Sequence, residues 1–181
     1  MTVSMIRMAR VEKRYQSFQA LHPLDLEVQA GEVFGFLGPN GAGKTTTIRM
    51  LSGVLTPTSG RIFIDGIDVV ADPVESRRRV GYIPDRPYLY DKLTARETLE
   101  FIGGIYGLDK GTIRSRGDEL LNEHGLLERA DELVEAYSHG MKQRLVLSAA
   151  LLHKPRLLIV DEPMVGLDPP RGPPHQGPLP R

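Results

Sequence analysis

The chain of 181 residues contains no cysteine and no tryptophan. Without cysteine there is neither a disulfide framework nor a thiolate zinc site. Aromatic residues make up only 6% of the chain, which excludes the stacking platforms that hold single-stranded nucleic acid. An excess of one charge is also missing, since 23 Lys and Arg stand against 23 Asp and Glu. Such a chain has no generic surface for a polyanion, so no nucleic-acid partner is expected. No apolar run approaches the roughly 20 residues of a spanning helix. The opening MTVSMIRMAR carries no apolar stretch of the kind found in a secretory leader. The five histidines, His22, His124, His139, His153 and His175, show no metal-ligand spacing. What remains is an ordinary globular composition, 40% apolar and 25% charged. It is enough for one domain with a real core, expected inside the cell and near a membrane only through a partner.

The apolar pattern changes period along the chain. Residues 6–11 and 24–28 read as short strands, and 33–37 is a continuous apolar run that fits a buried strand. A glycine-rich loop follows at 38–43. Ile48, Leu51 and Leu55 then fall at helical spacing, which predicts a helix over 44–55. Residues 61–64 and 67–70 read as strands joined by the hairpin signal Asp65-Gly66. Thr94-Ala95-Arg96-Glu97 is a capping box that starts a helix, with Leu99, Ile102 and Tyr106 on one face. Ile113, Leu120, Leu121 and His124 mark a second helix closed by Gly125, and a third spans 141–153. Pro155 breaks it, and 157–160 is a short, fully apolar strand. The fold class is therefore α/β, with a helical insertion over about 85–154.

The last thirteen residues, PPRGPPHQGPLPR, stand apart: ten of them are Pro, Arg or Gly. Proline removes donors and breaks helices, so residues 169–181 are expected to be a disordered tail. Codons for these residues can be built from G and C alone, so a frameshifted or truncated product is also expected.

The clearest motif is Gly38-Pro39-Asn40-Gly41-Ala42-Gly43-Lys44-Thr45, which fits G-x-x-x-x-G-K-[ST] without a gap. Glycines let the backbone curl so that successive N–H groups point at a phosphate. A helix starting at Lys44 adds its positive end. The Lys44 ammonium can reach β- and γ-phosphates, and the Thr45 hydroxyl can ligate Mg²⁺. The strand 157–160 ends in Asp161-Glu162. Parallel α/β sheets bind ligands at the carboxyl edge of their strands, so both acids are expected beside the phosphate loop. Asp161 would hold Mg²⁺ through water, and Glu162 would act as general base on an attacking water.

At this point the sequence resembles the nucleotide-binding domain of ATP-binding cassette (ABC) transporters over about residues 5–169. GPNGAGKTT and LLIVDEP match its phosphate loop and acidic strand. Tyr137-Ser138-His139-Gly140-Met141 stands where the family carries its LSGGQ signature, with Ser138 and Gly140 kept and Tyr137, His139 and Met141 departing. Gly166-Leu167-Asp168 resembles the D-loop, and Val80-Gly81-Tyr82-Ile83-Pro84-Asp85 resembles the Q-loop region with Asp85 in place of glutamine.

The resemblance implies a RecA-like P-loop NTPase core with an antiparallel β subdomain and a helical insertion. It implies a cassette domain over 1–168 whose C-terminal core elements are missing. It implies ATP and Mg²⁺ as cofactors, bound by residues 38–44 with Thr45 and Thr46, by Ser138, Gly140 and Asp168, and by Tyr15 stacked on adenine. Thr45, Asp161 and Asp85 would approach the metal, and Glu162 would be catalytic. Read by themselves, Ser138 is equally a plain helix cap and Tyr15 a half-buried packing residue.

The function implied is an ATP-hydrolysing subunit that energises a membrane transporter. Two cassettes, alike or different, would close head to tail on ATP, and the transmembrane permease would hold them at the inner face of the cell membrane. Tyr88, Leu89 and Tyr90 fit either a permease contact or the core. The other readings are a soluble ABC-type ATPase and a non-catalytic nucleotide-binding remnant. Neither substrate nor transport direction is written in the chain.

Overall fold

Two long stretches at the start of the chain pair with each other. A computed structural model describes residues 4–85 and 88–161. Strands β1 (Ser4–Tyr15) and β2 (Phe18–Gln29) form an antiparallel hairpin, longer than the runs 6–11 and 24–28. Strands β3 (Ser59–Ile64) and β4 (Ile67–Asp68) extend it to a four-stranded sheet of order β2-β1-β3-β4. The β3–β4 turn is the Asp65-Gly66 pair, both at positive φ (50° and 80°), the backbone that a two-residue hairpin demands. β4 ends at Asp68, two residues before the expected end. Its carboxylate takes the N–H groups of Val70 and Ala71 and turns the chain away. In β1 the register slips between Met8 and Val11, where Arg10 has φ 45°. Gly60 lies opposite this bulge, and a Cβ there would sit 2.3 Å from the Arg10 carbonyl oxygen, so no side chain fits.

Helix α1 (Lys44–Leu51) follows the glycine-rich loop. It stops four residues short of Leu55, because Gly53 turns left-handed at φ 70° and closes the helix. A short helix α2 (Pro73–Arg78) leads into β5 (Val80–Ile83), which pairs in parallel with β6 (Leu157–Val160). One core joins these layers: Met8, Val11, Ile62 and Ile64 from the large sheet meet Met50 of α1, Val80 of β5 and Ile159 of β6.

The second core belongs to helices α3 (Ala95–Ile105), α4 (Lys110–Glu123) and α5 (His139–Leu151). Leu99, Leu121, Leu126, Leu145 and Leu152 are almost completely buried in it. The Thr94–Glu97 capping box forms in both directions. Asp109 caps α4, and Gly125 follows its end at φ 64°. Gly103 lets α3 approach α4, since a Cβ there would lie 2.6 Å from Ile113 Cγ1.

One expectation is overturned. Residues 33–37 form no strand. Val33 is fully exposed and Leu37 is 93% exposed. A strand needs neighbours to take its N–H and C=O groups, and among the described residues none lies beside this run. Its apolar content suits a sheet centre, but composition supplies no partner.

Candidate functional site

The glycine-rich loop is shaped by its own turns and by the floor beneath it. Gly41 and Gly43 both sit at φ 86°, a conformation that favours glycine. The Ala42 N–H donates to the Pro39 carbonyl at 3.2 Å. Gly43 is needed a second time for space: a Cβ would lie 2.8 Å from Leu21 Cδ1 and 3.0 Å from the Ala20 carbonyl oxygen of β2. Gly43 is also the N-cap of α1 and offers no side chain to its first N–H groups. Helices α2, α3, α4 and α5 are each capped by a side chain, from Asp72, Thr94, Asp109 and Ser138. The start of α1 thus keeps free donors and a positive dipole end for an anion.

The Lys44 ammonium donates to the Gly38 and Pro39 carbonyls at 2.5 and 2.9 Å. It is drawn across the mouth of the loop, where an anion lying on the N–H groups would meet it. Gly38, Pro39, Asn40, Gly41, Ala42 and Thr45 are exposed, and Thr46 is half-buried.

Parallel pairing of Ile83 with Val160 brings the ends of β5 and β6 side by side. The Asp161 N–H donates to the Ile83 carbonyl at 2.9 Å and fixes the start of the acidic segment. Burial pushes the Tyr82 hydroxyl above its ordinary value, and the carboxylates of Asp161 and Asp85 push it further, while Arg49 of α1 opposes them. Asp161, Asp85, Arg49 and Tyr82 therefore share one locality at the carboxyl edge, and α1 joins it to the phosphate loop. The sequence reading missed Tyr82 and Arg49. Tyr82 lies inside the motif it singled out; Arg49 has no sequence signal beyond its place on the helix after the loop.

Thr45 hydroxyl and Asp161 carboxylate are hard oxygen donors of the kind Mg²⁺ takes. Among the described residues no three ligating side chains cluster as a cage. That donor set fits an ion that arrives with phosphate oxygens and keeps its waters.

Ser138 starts α5 and accepts the Met141 N–H at 3.3 Å. It is a true helix cap, and Gly140 beside it leaves open space where a side chain would stand. Tyr15 ends β1 at the tip of the hairpin, 47% exposed, with Lys13 Nζ 5.1 Å from its ring. It is not a core residue. Tyr88 and Tyr90 are 90% and 62% exposed, whereas Leu89 packs on the helical core. Tyr88 and Leu89 line a cavity of about 310 Å³ with Tyr82, Tyr106, Arg77 and Val146. Glu162, Asp168 and residues 169–181 lie outside the described residues.

The sequence model of the ABC transporter family matches residues 21–165. The linearmycin resistance ATP-binding protein LnrL of Bacillus subtilis is 42% identical over 165 residues, 91% of this chain and 53% of that protein. The chain thus spans about half the length of this relative. A solved ATP-binding subunit of an ABC transporter superposes with a TM-score of 0.83 at 36% identity, over 91% of this chain and 69% of the other. An ATP-binding cassette solved as a dimer in a post-hydrolysis state with ADP and Pi superposes with a TM-score of 0.80 at 27% identity, over 91% and 77%. With the phosphate loop, the acidic strand and the α/β core in place, the chain belongs to the ATP-binding proteins of the ABC transporter family.

Proposed function

We propose that this chain binds ATP with Mg²⁺ and hydrolyses it to energise a membrane transporter. The observation that carries this is the bare N-terminus of α1 under a left-handed glycine loop, with Lys44 held across it. The triphosphate lies on the loop N–H groups, and Lys44 leaves the Gly38 and Pro39 carbonyls for the phosphates. Thr45 would ligate the Mg²⁺ that accompanies the phosphates and offsets their charge, and Asp161 and Asp85 would hold it through water. Tyr15 offers its exposed ring to the adenine. Glu162, next after Asp161, takes the proton from the attacking water.

Ser138 and Gly140 lie on α5 in the helical layer and serve a second cassette. The ATP of one copy is completed by the signature helix of the other, whose N-terminal dipole faces the γ-phosphate. Asp168, by the same resemblance, is assigned to nucleotide binding. The dimeric cassette with ADP and Pi supports this arrangement. No described helix is long and apolar enough to cross a membrane, so a transmembrane permease supplies the path. The exposed Tyr88 and Tyr90 are the contact for that permease, which holds the cassette at the inner membrane face.

The test is Glu162→Gln. The amide cannot accept the proton of the attacking water, so the variant should bind ATP, lose turnover and accumulate as an ATP-dependent dimer in light scattering. Unchanged turnover would remove Glu162 as the base, and a monomer at saturating ATP would contradict the paired mechanism.

A further inference from the structure

The residues flanking Ser138 are unusual in where they lead. Tyr137 is 5% exposed, and its hydroxyl donates to the Arg129 carbonyl at 2.7 Å, eight residues upstream. On the other side, Met141 is buried, and its Sδ accepts from Arg129 Nη1 at 3.3 Å. The same guanidinium lies 5.8 Å from the centre of the Tyr137 ring. Its Nε donates to both Glu132 carboxylate oxygens at 2.9 Å, which fixes the plane of the fork. Tyr137 and Met141 are also two of the three positions where the chain departs from LSGGQ. These two departures meet on Arg129.

The cap bond is long: Ser138 accepts from Met141 at 3.3 Å, the far end of an N–H···O bond. Burial raises the Tyr137 hydroxyl, Glu132 raises it further and Arg129 opposes, so the phenol stays a donor at neutral pH. An exposed Arg–Glu pair adds little stability, so the value of Arg129 lies in direction.

We propose that Arg129 is a positioning residue for Ser138: its carbonyl anchors Tyr137, its guanidinium anchors Met141, and together they set the first turn of α5. This rests on the reading of Ser138 as the group that meets the ATP of a second cassette. Arg129 touches no nucleotide. It acts by holding Tyr137, which precedes Ser138, and Met141, whose N–H Ser138 accepts.

The experiment is amide hydrogen exchange on the purified chain, as wild type, Tyr137→Phe and Arg129→Ala, with nucleotide affinity and ATP-dependent dimerisation measured beside it. Each variant should speed exchange over residues 138–142 about fivefold, the scale of a lost helix cap. Protection over residues 145–151 should stay. Affinity of the monomer for ATP should be unchanged, because the phosphate loop belongs to the other core, while dimerisation weakens. Unchanged exchange over 138–142 in both variants would overturn the proposal. Equal acceleration along all of α5 would also overturn it, since that is a loss of fold and not of position. Local acceleration in a chain that never dimerises with ATP would overturn the assignment of Ser138 to a partner's nucleotide, and with it the purpose of the positioning.

Discussion

The helical layer and the nucleotide side of this molecule complete themselves to different degrees. In the helical layer each of α3, α4 and α5 carries its own side-chain cap, and one core closes over them. On the nucleotide side α1 has no side-chain cap, the parallel sheet has two described strands, and the apolar run 33–37 stands in solvent. The difference follows from how each element is satisfied. A helix closes its own hydrogen bonds and needs only an apolar face and two ends. A strand in a parallel sheet depends on neighbours distant in sequence. The open N-terminus of α1 is a separate matter: donors left free there are what a phosphate needs.

The largest expected effect attacks the self-sufficient side. Leu145 is fully buried in the helical core. Leu145→Ala should destabilise that layer by about 2–5 kcal/mol, through lost transfer energy and a cavity. Exchange should rise in α3, α4 and α5 together, with the β1–β2 hairpin unchanged, as read by hydrogen exchange. Loss of protection spread evenly over the whole chain would break the comparison.

A smaller effect lies at the seam. His153 follows α5, stacks on Tyr106 at 3.7 Å, and places Nε2 3.1 Å from the Val80 carbonyl of β5. Among the described residues its buried Nδ1 has no hydrogen-bond partner. Burial holds its pKa below the ordinary value, with the Val80 carbonyl opposing and Arg116 adding to the fall. The unfolded chain therefore takes up the proton near pH 6.5 and the folded chain only lower. The neutral ring's contribution to stability is complete above about pH 7 and is lost as pH falls through about 6.5 toward the folded value. Burial lowers His124 in the same direction, so His153→Asn should reduce the slope of stability against pH over that window without abolishing it. Denaturant unfolding at a series of pH values reads this, and an unaltered slope would remove His153 from the seam.

What the sequence made legible was local. The capping box at Thr94, the Asp65-Gly66 turn, the stop at Gly125 and the phosphate loop are each written within a few residues. Helix α1 ended early at Gly53, a stop signal present in the sequence but outweighed by the spacing of Leu55. The run 33–37 misled for the opposite reason: its composition is right for a strand, but pairing is not a property of five residues. The resemblance already put Asp161 and Asp85 at one site, but the side chains that join them there were not legible. Arg129 reaches Met141 across twelve residues, and the grouping of Tyr82 with Asp161 and Asp85 depends on how β5 and β6 align. Neither leaves a spacing that could be read in advance.

The central claim is that the uncapped start of α1, the glycine loop above it and Lys44 together hold a nucleotide. It is tested most directly by titrating the wild-type chain and Lys44→Ala with labelled ATP in the presence of Mg²⁺. Removing the ammonium takes away charged hydrogen bonds to the phosphates, so the affinity should fall by about 10- to 100-fold. Thermal stability should change little, because among the described residues Lys44 Nζ bonds only to exposed loop carbonyls. Equal affinity in the two proteins would contradict the account.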